Sequence, residues 1–194
     1  MKNLALALAA VLVFGVSMSA MAGDNGNSQS NAKHDIKVGI SAHSLVGVSS
    51  ASTITLEPAA PKVAGEGLDF SAASASDNSV WLNYSSILKG KSSNSISVSM
   101  DGDELPKGVD IELVAAEDAG KGKGEVGKTN KKTVVLSDKS QELVSGIKNC
   151  YTGTGSGSGH QLTYALKMNN ESDNYKELTS GDFTTTITYT ITDN

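Results

Sequence analysis

The chain has 194 residues, with 16 lysines and no arginine against 21 acidic residues, for a formal net charge of −5. That balance, with no guanidinium fork to clamp phosphates or base edges, argues against nucleic-acid binding. One cysteine, Cys150, excludes an internal disulfide, so the core must hold the fold unaided.

The N-terminus, "MKNLALALAAVLVFGVSMSAMAGDN", carries Lys2, an apolar run from Leu4 to Val16, and the small-residue ending Ala20-Met21-Ala22. This pattern predicts a secretory signal peptide over residues 1–22, removed before Gly23. The apolar run is shorter than the roughly 18–20 residues that span a bilayer, and nothing later is apolar enough to do so. The expectation is therefore an exported protein of the periplasm, cell surface or extracellular space, with no integral membrane segment. The remainder carries 15 lysines against 21 acids, a charge of −6, and has the size of one domain. Residues 23–34 are polar with no apolar anchor, and read as a flexible leader.

From residue 35 onward, two-residue alternation dominates. "DIKVGISAHSLVGV" places Ile36, Val38, Ile40 and Ala42 on one face, predicting a first strand over 35–48. "STITLEP" alternates Ile54 and Leu56 before Pro58. "SVWLNYSSIL" puts Val80, Leu82 and Tyr84 on one face and Trp81 on the other. "NSISVSM", "GVDIELVAA", "KTVVLS", "QELVSGI", "HQLTYALKM" and "DFTTTITYTIT" complete the series, though a short helix competes with the strand at "SDKSQELVSGI". Glycine, proline, asparagine and aspartate separate most runs. Short strands at this spacing, without helical periodicity, predict an all-β antiparallel sandwich of about eight to ten strands over 35–194.

Residues 122–129, "GKGEVGKT", match the phosphate-loop pattern G-x-x-x-x-G-K-[ST]. That loop works by opening directly into a helix whose N-terminus meets the phosphates. Here "NKKTVVLSD" follows, a β-branched run, so the segment reads as a mobile, solvated hairpin loop. No cofactor is expected. His34, His43 and His160 lack partners at metal-ligand spacing and read as surface histidines, so no metal is expected either. Asp101/Asp103/Glu104 and Glu117/Asp118 lie at turns, where solvated acids are ordinary. With no catalytic motif in the chain, no enzyme is predicted; catalysis would need two of these acids gathered about 5–10 Å apart in a cleft. Cys150, just after an apolar run, is expected to be buried.

The two ends of the domain carry a resemblance. An alternating arm (Ile36, Val38, Ile40, Ala42, with the small Gly39) and a C-terminal alternating strand with Gly181 about fourteen places from the end resemble subunits of chaperone–usher fimbriae. Asp193 stands where that family has a penultimate tyrosine, and the disulfide of one branch is absent. The resemblance implies an immunoglobulin-like sandwich lacking one strand, completed by the arm of another subunit and guarded by a periplasmic chaperone until assembly. It also implies a pilus-type homopolymer acting in adhesion at the bacterial cell surface. The competing expectation is a polysaccharide-binding module, with Trp81, Tyr84 and Tyr151 as stacking platforms.

Overall fold

The computed structural model describes residues 32–49, 53–90, 92–102, 105–130, 132–169 and 171–193. The segment expected to be a signal peptide, most of the expected leader, and Asp103 and Glu104 lie outside the described residues. The chain divides at Val38/Gly39 into two units. Of the first, residues 32–38 form no helix or strand, and Ile36 and Val38 are exposed. The fold below belongs to the second.

That fold is all-β, two antiparallel sheets packed as a sandwich. Its strands are β1 (His43–Val48), β2 (Ser76–Ile87), β3 (Asn94–Gly102), β4 (Val109–Asp118), β5 (Lys123–Gly124), β6 (Lys128–Thr129), β7 (Val134–Val135), β8 (Gln141–Ile147), β9 (Cys150–Tyr151), β10 (His160–Met168) and β11 (Thr185–Asp193). The small sheet runs β11-β3-β8-β6, and the large sheet holds the other seven. In the large sheet, β1 and β9 both pair with Ser85 and Ser86, so they flank β2 on opposite sides. The strand β10 shares β9's side, because Leu82 pairs with Val48 on one edge and His160 on the other. Thus β9 and β10 act as one long strand interrupted by residues 152–159, and β5 and β4 lie beside them in the same order.

Alternation explains the core. The inward rows are Val80, Leu82 and Tyr84 on β2, Ile111, Leu113 and Ala115 on β4, and Leu162, Tyr164 and Leu166 on β10. Ile96 and Val98 on β3 meet them from the other sheet with Leu143, Val144 and Ile147 on β8. Burying a side chain of this size stabilises by about 1.5–3 kcal/mol, which is how the sandwich holds with its one cysteine unpaired. Both Leu143 and Val144 are buried because the β3–β8 register shifts there, breaking the two-residue period. Polar ties also join the sheets, among them the Gln141 amide donating to the Val135 carbonyl (2.7 Å). The buried Asn94 amide donates to Ser44 Oγ (2.6 Å) and Ser86 Oγ (3.2 Å), and the Tyr164 and Tyr189 hydroxyls meet at 2.6 Å.

Several elements depart from the sequence expectation. The first strand begins at His43, and residues 32–42 enter no ladder. Around Ile54 and Leu56 there is no strand either; both pack against the core from an irregular segment pinned by an isolated Ala59–Asp69 bridge. Alternation records which side chains are buried, and a loop lying on a core alternates as a strand does. The segment at 141–147 is a strand, settled by its two ladder partners β3 and β6. A four-residue helix, α1 (Glu171–Asn174), and a 3-10 turn follow β10, too short to have shown a period. Among the described residues, no helix is long and apolar enough to cross a membrane.

Candidate interaction surfaces

The glycine-lysine segment is the first site the structure reassigns. Far from being a free loop, it passes from one sheet to the other, making ladder bonds in both. Lys123 and Gly124 pair with Tyr151 and Cys150 in the large sheet, and Lys128 and Thr129 pair with Ser145 and Val144 in the small one. Between them, the Glu125 carbonyl accepts from Lys148 N–H (2.9 Å), and the side chains of the same two residues form an ion pair at 2.8 Å. The glycines are there for close approach. A Cβ on Gly122 would stand 1.7 Å from the Tyr151 carbonyl oxygen, and one on Gly124 (φ 90°) would stand 2.1 Å from that of Asn149. After Thr129, which is buried, the next strand is the short β7, and among the described residues no helix starts between them. The phosphate-loop letters thus lack the phosphate-loop setting.

Beneath this crossover lies a polar chain that the sequence did not announce. His160, expected at the surface, is fully buried. Its Nδ1 donates to the Ala116 carbonyl (2.8 Å), because a carbonyl oxygen can only accept. Its Nε2 lies 2.8 Å from the Tyr84 hydroxyl, which in turn donates to the Val126 carbonyl of the crossover. The Tyr84 and His160 rings stack with centroids 5.6 Å apart. Burial, then the nearby Cys150 and Asp118, push the Tyr84 hydroxyl above its ordinary range. Burial and Asp118 also push the Cys150 thiol up to about 11. The thiol is buried, as the sequence predicted. His34 and His43 are exposed. His160 sits directly opposite Asp118 in the β4–β10 ladder, a register that sequence spacing cannot reveal.

Of the three aromatic platforms, Tyr84 faces inward and presents no ring to solvent. Trp81 points outward and is half-buried, and its backbone N–H donates to Ser49 Oγ (2.9 Å). Tyr151 is 51% exposed on the outer face of the large sheet. It borders a shallow depression of about 320 Å³ lined by Leu45, Gly47, Asn83, Ser85, Tyr151 and Thr154. One wall is the loop at residues 152–159, held down by Asn83, whose Oδ1 accepts from Gly155 N–H (3.0 Å) and whose Nδ2 donates to Ser158 O (2.6 Å).

The segment proposed as a donor strand has its own character. Ile36, Val38 and Ile40 are 77%, 80% and 81% exposed, and Gly39 has open space around its Cα. Ala42 is exposed too. Further along the chain, β11 is an edge strand of the small sheet, laddered among the described residues with β3 alone. Its first eight residues, "TTITYTIT", contain no charge and no proline, the usual devices that blunt an edge.

No family model, curated protein or solved structure matches this chain.

Proposed function

We propose that the chain is an exported structural or adhesive surface protein that assembles by adding residues 36–42 of one copy, as an extra strand, to an open sheet edge of another. The observation that carries this reading is the row Ile36, Val38 and Ile40, large aliphatic side chains about four-fifths exposed on an unpaired segment. Leaving each in water forgoes about 1.5–3 kcal/mol relative to burial, and an alternating extended segment regains that by joining a sheet. The uncharged edge of β11 supports it from the acceptor side. In this reading the sandwich is of the immunoglobulin-like type, and the partner is a second copy, preceded by a periplasmic chaperone that covers the edge.

The test is the mass of the mature chain by light scattering over a concentration series, for the parent and for Ile36→Asp/Val38→Asp/Ile40→Asp. Concentration-dependent oligomers in the parent, absent from the triple variant, are expected. A parent that stays monomeric throughout, or oligomers that persist in the variant, would overturn the reading. Deletions should stop at Ala42, since β1 is part of the large sheet and Val46 packs on the core.

A further inference from the structure

The outer face of the large sheet carries a row that the ladders fix. Leu45 pairs with Ser85, Ser85 with Tyr151, and Tyr151 with Lys123. Directly opposed residues in antiparallel strands share a face, so the four stand in line over three inter-strand spacings, about 14 Å. Leu45 is 64% exposed, and Lys123 is exposed beside the half-exposed Tyr151 ring. Lys121 joins them, because a Cβ at Gly153 would lie 3.6 Å from the Lys121 Cβ. Neither lysine forms an ion pair among the described residues.

On these observations we propose that the depression beside Tyr151 binds an acidic polysaccharide, with Tyr151 as stacking platform and Lys123 and Lys121 pairing with carboxylate or sulfate groups. A sugar ring has apolar C–H faces and hydroxylated edges. It suits a concavity made of one open aromatic ring, the aliphatic residues of β1 led by Leu45, and a rim of Ser85, Thr154 and loop backbone. The charge argument selects the acidic class. The chain as a whole is anionic, yet two exposed lysines, Lys121 and Lys123, stand on the side of the sheet where the Tyr151 ring is exposed, and their ammonium groups attract an anionic ligand. Because the lysines are solvated, each adds modestly and the binding weakens with salt. The occupant is distinct from the strand-adding partner, so oligomeric state tests one proposal and glycan binding the other.

The experiment is affinity electrophoresis of the mature chain in native gels cast with polygalacturonate, with dextran as the neutral comparison. Retardation in polygalacturonate alone is expected. Tyr151→Ala and the pair Lys121→Gln/Lys123→Gln should each weaken it at least fivefold, whereas Lys139→Gln, in the turn before β8, should leave it unchanged. The lysine pair is exposed, so its variant keeps the fold even if Tyr151→Ala does not, and far-UV circular dichroism checks both. No retardation would overturn the proposal, as would equal losses from Lys139→Gln or full binding by Tyr151→Ala. Retardation in dextran that survives the lysine pair would replace the acidic ligand with a neutral glycan and overturn the charge assignment.

Discussion

Replacing Gly122 with alanine separates the two readings of residues 122–129 more cleanly than any binding assay alone. The new Cβ would lie 1.7 Å from the Tyr151 carbonyl oxygen and 2.6 Å from both the Tyr151 carbonyl carbon and the Thr152 Cα. These are backbone atoms in a ladder, unable to swing aside as a side chain would. Relief requires β5 and β9 to part by more than an ångström, which no hydrogen bond of ordinary length survives. The loss of about two ladder bonds, with their partners left partly buried, costs about 2–4 kcal/mol. For a chain of this size, each kcal/mol lowers Tm by about 2–4 °C, so the melting temperature should fall by about 5–15 °C. Lys128→Ala touches an exposed side chain and should stay within about 0.5 kcal/mol of the parent. Calorimetry of parent and variants, with and without Mg-ATP, reads both effects. A phosphate loop would give the reverse pattern: ATP stabilises the parent, and Lys128→Ala abolishes that stabilisation. That result, or a Gly122→Ala chain melting within about 2 °C of the parent, would refute the reasoning.

Two further outcomes follow from the buried polar chain and its surroundings. His160→Leu removes both ring contacts and strands the Ala116 carbonyl, costing about 2–4 kcal/mol in chemical denaturation, with a smaller loss for Tyr84→Phe, which keeps the His160–Ala116 bond. Equal stability of parent and His160→Leu would show that the chain carries no energy. The acidic groups Cys150, Tyr84, Tyr164 and Tyr189 all have folded pKa values raised chiefly by burial. The unfolded chain therefore loses these protons first, so their stabilising contribution is whole below about pH 9 and declines as pH rises beyond it. With its thiol near 11 instead of 9.0, Cys150 should alkylate with iodoacetamide about a hundredfold more slowly at pH 8 than in the unfolded chain. Matching rates in native buffer and in denaturant would mean that the thiol is neither buried nor perturbed.

The sequence alone determined the class of the fold. Side chains on an extended chain point alternately to opposite faces, so the rows Val80/Leu82/Tyr84 and Leu162/Tyr164/Leu166 could be read as buried faces without knowing what they pack against. The burial of Cys150 was legible from the apolar run just before it. Pairing was not legible, because it depends on which distant segments share hydrogen bonds. Residues 36–42 alternate as cleanly as β10, yet only the latter has neighbours on both edges. The glycines at 122 and 124 fit a phosphate loop in one dimension and a close crossing of backbones in three. His160 looked solitary because its partners, Tyr84 and Ala116, and Val126 beyond Tyr84, are tens of residues away and are gathered only when β2, β4 and the crossover close over it. Local periodicity set which faces turn inward; the order and register of the strands, a property of long-range contacts, set which residues meet.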